Sequence, residues 1–105
     1  MTSANIHEVA EGVQYQKEGE QIAHSVTTTN WVSPPANPDV TAYDETAGNT
    51  DVTATVYPAN APGVGGDIIT LSLLRNLTKN HTYRVEIEFT SGGNTYVCYF
   101  RVICV

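Results

Sequence analysis

The chain has 105 residues, enough for one domain, and its 41% apolar content supplies a core. Eleven acidic residues against five basic give a net charge of -6, which argues against phosphate-driven nucleic-acid binding and against docking on an anionic membrane surface. No apolar run approaches the roughly 20 residues of a spanning helix, and the opening MTSANIHEVAEG has neither the basic start nor the apolar stretch of a secretory signal.

Residues 1–19 read as an N-terminal arm preceding a single domain over 20–105. Ile6, Val9 and Val13 fit one helical face, but Gly12 and Gly19 each weaken a helix by about 1 kcal/mol, which favours an extended arm with a short ordered piece. Beyond it, fourteen threonines and twelve valines point to strands. The turn groups SPPANP, ETAGN, PANAPGVGG, NLTKN and SGGN recur at the spacing of an all-β sandwich or barrel. Strands are predicted over 21–29, 40–43, 51–57, 67–74, 81–90 and 95–105. In the fourth of these, Ile69, Leu71 and Leu73 alternate with Thr70 and Ser72. In the fifth, Tyr83, Val85, Ile87 and Phe89 share one face and Arg84, Glu86 and Glu88 the other, the pattern of a sheet with one side buried and one in water. SGGN then forms a hairpin turn into the last strand.

That last strand is apolar on both sides. Tyr96, Cys98, Phe100, Val102 and Cys104 form one face; Val97, Tyr99, Ile103 and Val105 form the other, interrupted only by Arg101. A sandwich covers one side of a strand, so the second face needs a cover, and exposed apolar surface marks contact sites. Two covers are considered: the arm, through Ile6, Val9, Val13 and Tyr15, or a neighbouring subunit. A second candidate surface is the stiff proline loop carrying Pro34, Pro35, Asn37 and Pro38, whose low ordering cost suits docking. Trp31 is expected in the core. Cys98 and Cys104 lie six steps apart on one strand, about 20 Å, too far for a disulfide, and are expected as buried thiols.

No catalytic, cofactor-binding or metal-binding residue is predicted. His7, His24 and His81 lack ligand spacing. The loop 44–51 gathers Asp44, Glu45 and Asp51 around a glycine but lacks the EF-hand pattern, so it reads as a solvated turn. Gly63-Val64-Gly65-Gly66 has no following Lys-Ser/Thr and reads as a turn feeding a strand. No serine has a G-x-S-x-G context, and Cys98 has no basic neighbour but Arg101. Asn76-Leu77-Thr78 and Asn80-His81-Thr82 match the glycosylation sequon by chance.

The run from Leu74 to Ile87, with Leu77 six residues before Tyr83, resembles the corner between the fifth and sixth strands of immunoglobulin and fibronectin type III-like domains. More widely, Gly19-Glu20, Val26-Thr27-Thr28-Thr29, Trp31, Asp51-Val52-Thr53, Gly66-Asp67-Ile68-Ile69-Thr70-Leu71 and Tyr83-Arg84-Val85-Glu86 are similar to small Ig-like virion proteins of tailed bacteriophages, of decoration, neck or fibre–tail adaptor type. The resemblance implies an all-β, immunoglobulin-like antiparallel β-sandwich with a short N-terminal arm. It also implies a non-enzymatic structural subunit, without cofactor, that is assembled in the host cytoplasm into the virion. Its partners would be other virion proteins and copies of itself, with no nucleic acid or membrane bound. The alternative expectation is a glycan- or receptor-binding module, with Tyr43, Tyr57 and Tyr96 stacking on sugar rings.

Overall fold

The computed structural model describes residues 6–8, 12–28 and 34–105. In chain order the elements are β1 (Ile6–Glu8), β2 (Gln14–Gln16), β3 (Ile22–Thr27), β4 (Ala36–Asp44), β5 (Thr50–Asp51), α1 (Thr53–Val56), β6 (Gly63–Gly65), β7 (Ile68–Leu74), β8 (Thr82–Ser91) and β9 (Asn94–Cys104). The larger sheet has the order β1-β9-β8-β4-β5, with β2 also on β9; the smaller is β3-β7-β6. They pack face to face as an all-β sandwich. With β3, β7 and β6 in one sheet and β4, β8 and β9 in the other, the strand order is that of an immunoglobulin-like domain.

Alternation builds the centre. Strand β8 buries Tyr83, Val85, Ile87 and Phe89, and β9 buries Cys98, Phe100, Val102 and Cys104 beside them. Gly92 and Gly93 join the two strands with φ of 58° and 83°. Two left-handed residues make the tight turn whose twist suits a hairpin, and they set the register in which Ser91 faces Asn94 and Arg84 faces Arg101. From the smaller sheet, Val26, Ile69, Leu71 and Leu74 close the core. At the corner, the Thr78 N–H donates to the Tyr83 hydroxyl at 2.7 Å while Leu77 lies buried beneath.

The strand predicted over 51–57 stops at Asp51, and a helical turn follows. Val52 and Val56 both reach the core, and a spacing of four satisfies either period, but exposed Ala54 fits only the helix. The Asp51 carboxylate accepts from the Thr53 N–H and hydroxyl at 3.0 and 2.7 Å, turning the chain toward the other sheet. The glycine run, read as a turn, contributes the edge strand β6, paired from Gly63 to Gly65 with β7. Leu73, which the alternation grouped with Ile69 and Leu71, is 45% exposed, and Leu74 is buried instead. One extra β7 residue between the pairs Ala23–Leu73 and Ser25–Thr70 reverses the parity.

Strand β4 begins at Ala36, so Asn37 and Pro38 of the proline loop lie in a strand, while Pro34 and Pro35 precede it. An extra residue between Ala36 and Asp39, with Asn37 at φ 53°, forms a bulge that accommodates Pro38, which has no N–H for a ladder. Pro35 is buried and drops out of the expected docking loop, whereas Pro34 and Asn37 stay exposed.

The segment expected as an arm enters the larger sheet. Strands β1 and β2 run parallel to β9, with Ile6 opposite Val97 and Tyr15 opposite Ile103. They extend that sheet sideways through backbone hydrogen bonds instead of lying over its outer face. The ladder is therefore antiparallel except at this edge. Val13 is 41% exposed; Val9 and Trp31 lie outside the described residues.

Candidate functional site

Strand β9 and its neighbours present an outer face organised in rows by the register. One row holds Val97, Glu88 and Asp39; the next Tyr99, Glu86 and Thr41; the next Arg101, Arg84 and Tyr43; the last Tyr15, Ile103 and Thr82. Val97, Tyr99, Arg101 and Ile103 are half-buried, Val105 is exposed, and Tyr15 is 64% exposed.

Part of the cover that the two-faced strand requires comes from this chain's own arginines. The Arg101 guanidinium lies 5.2 Å from the Tyr99 ring centre, and that of Arg84 lies 4.8 Å from the Tyr43 ring centre. Two arginines directly opposite on neighbouring strands repel. Glu45 resolves this, accepting from Arg101 Nε at 2.9 Å and from an Arg84 terminal nitrogen at 2.9 Å, while Glu86 accepts from Arg84 Nε at 2.8 Å. Burial raises the Glu45 pKa, but the hydrogen bonds and charges of Arg101 and Arg84 outweigh it and hold the carboxyl below its ordinary value. Sequence reasoning missed Glu45. The signal was present, because the Gly92-Gly93 turn alone places Arg84 against Arg101 and so demands a carboxylate between them.

The loop 44–51, read as solvated, is partly structural. Asp44 is buried; its carboxylate meets His81 Nδ1 at 2.7 Å and accepts from the Ala47 N–H at 3.1 Å. Its three carboxylates are thus directed to His81, to the arginine pair and to Thr53, and they do not converge. Among the described residues no group of three or more histidine, cysteine or acidic side chains could hold a metal ion. Of the aromatic residues considered for sugar stacking, Tyr57 is buried, Tyr96 stacks on Phe89 at 5.9 Å and Tyr43 lies under Arg84. The Tyr57 hydroxyl has no hydrogen-bond partner among the described residues, and burial pushes its pKa up. Burial likewise raises the Cys104 thiol, which suits a core residue and not a nucleophile.

A second polar cluster ties the sheets together behind the face. Gln16, at the end of β2, is 1% exposed; its Nε2 donates to the Leu74 carbonyl at 2.7 Å and to the Glu20 carbonyl at 3.0 Å. Its Oε1 lies 2.9 Å from His24 Nε2, so that nitrogen carries the proton, and the His24 ring packs 5.6 Å from Phe100. Burial lowers the His24 pKa below its ordinary 6.5. The unfolded chain then binds a proton that the folded chain resists, so stability is lost as pH falls from about 6.5 through the lowered value. The urea midpoint is expected to be lower at about pH 5 than at about pH 7.5. The contribution of Glu45 is lost only below its ordinary 4.5. His24→Gln should flatten the dependence between those two pH values; an unchanged slope in that variant would remove His24 as its source.

No helix among the described residues is long and apolar enough to cross a membrane. Compared with protein-family models, with curated proteins and with solved structures, the chain gives no match.

Proposed function

We propose that this protein is a non-enzymatic structural subunit of a tailed-phage virion that docks on capsid, neck or tail proteins through the outer face of its larger sheet. The carrying observation is the apolar strip of Val97, Tyr99, Ile103 and Tyr15, which ends in a side chain 64% exposed on the edge built by β2. An aromatic and aliphatic strip on a rigid sheet has low ordering cost and suits a shape-based contact. The similarity of the residues quoted above to small Ig-like phage proteins supplies the class of assembly.

The double substitution Tyr99→Ser with Ile103→Ser removes the strip from half-exposed positions while leaving the core untouched. Its incorporation into particles made from the encoding genome should fall by about tenfold or more, with a near-native circular dichroism spectrum. Equal incorporation would overturn docking through this face.

A further inference from the structure

The outer face carries uncompensated charge on one flank. Asp39 and Glu88 sit directly opposite each other on β4 and β8, and Glu86 follows in the next row. Like charges at directly opposed positions destabilise a sheet. Glu86 is answered by Arg84, but neither Asp39 nor Glu88 has an ion pair among the described residues. Between these strands lies a depression of about 200 Å³ lined by Asp39, Thr41, Tyr43, Glu86, Glu88 and Val97. It adjoins the apolar strip, since Val97 belongs to both.

Building on the docking role proposed above, we infer that the partner seated on this face is basic, with a lysine or arginine side chain entering the depression and its apolar residues lying along Val97 and Tyr99. Charge complementarity selects this occupant. A second copy of the chain is a poor match face to face. Its arginines on that surface are already engaged by Glu45 and Glu86, so two copies would bring together acidic flanks on chains that each carry a net charge of -6. Anionic nucleic acid and anionic lipid are repelled for the same reason. A cation placed between Asp39 and Glu88 removes their repulsion, and the apolar strip beside it supplies contact that salt does not screen.

The test uses the full chain, isotope-labelled for NMR, and two acetylated octapeptide probes, one alternating lysine with threonine and one alternating glutamate with threonine. The lysine probe is expected to shift the amides of Asp39, Thr41, Glu86, Glu88 and Val97, and the glutamate probe to leave them in place. Asp39→Asn with Glu88→Gln, which relieves repulsion and so preserves the fold, should weaken the lysine probe by about tenfold or more. Unchanged affinity in that variant, or shifts elsewhere on the molecule, would overturn the inference. Virion incorporation separates the two proposals. If the neutralised variant incorporates normally while Tyr99→Ser/Ile103→Ser does not, the face docks but its partner is not recognised through charge. If both incorporate normally, docking through this face itself is wrong.

Discussion

Gln16→Met is expected to lower the unfolding free energy by about 2–4 kcal/mol, although the two side chains have similar volume and length. Methionine fills the space but offers neither a donor nor a strong acceptor. The Leu74 carbonyl then loses its partner at 2.7 Å and the His24 Nε2–H loses its partner at 2.9 Å. Each buried group left unpaired costs about 1–3 kcal/mol; the Glu20 carbonyl, on an exposed residue, recovers a bond from water. Urea unfolding measures this as a lowered midpoint with an unchanged slope. The same substitution should cost less in a His24→Phe background, where one of the orphaned groups is already gone. A change below about 0.5 kcal/mol in the single variant would show that the Gln16 contacts contribute nothing net.

Phe100→Ala is expected to cost more, about 3–5 kcal/mol. Phe100 is 2% exposed at the middle of β9, between Cys98 and Val102 and opposite Val85, with the His24 ring of the other sheet 5.6 Å away. Its removal opens a void at the contact between the two sheets, where neighbours held in paired strands on both sides can close in only partly. Thermal unfolding should move down by well over 10 °C for a domain of this size, at about 4–8 °C per kcal/mol. The Tyr99→Ser/Ile103→Ser variant, altered at outward positions that alternate with the buried row, should lose far less. If Phe100→Ala were no worse than that surface variant, the inward assignment of Phe100 would be wrong.

The contrast between these neighbouring positions bears on function. Side chains of β9 that point inward hold the sandwich, while those that point outward meet whatever the sandwich meets. On that outer side the pairing of Val97 with Glu88 and of Ile103 with Thr82 follows from the two-residue turn, and the β4–β8 register adds Asp39 opposite Glu88. A change in the Gly92-Gly93 turn would therefore disturb both core and face, because a one-residue slip exchanges them.

Local chemistry in the sequence was enough for the sandwich class, for the inward and outward rows of β8 and β9, for the hairpin between them and for the spacing of Leu77 and Tyr83. Those features repeat every second residue or sit within one turn, so no distant partner is needed to read them. The half-exposed outer strip of Val97, Tyr99, Arg101 and Ile103 was legible for the same reason. Tertiary structure alone decided the rest. A spacing of four at Val52 and Val56 fits strand and helix equally, and the need to cross between sheets selected the helix. The extra β7 residue that exposed Leu73 is defined only against β3. The parallel docking of β1 and β2 on β9 joins residues nearly a chain length apart, and Gln16 became a buried tie only because that docking carried it between the sheets. Arg84 and Arg101 became a cover once Glu45 stood between them. Each of these depends on which backbone lies alongside which, and a hydrophobic pattern, being local, carries the direction of a side chain but not the identity of its neighbour.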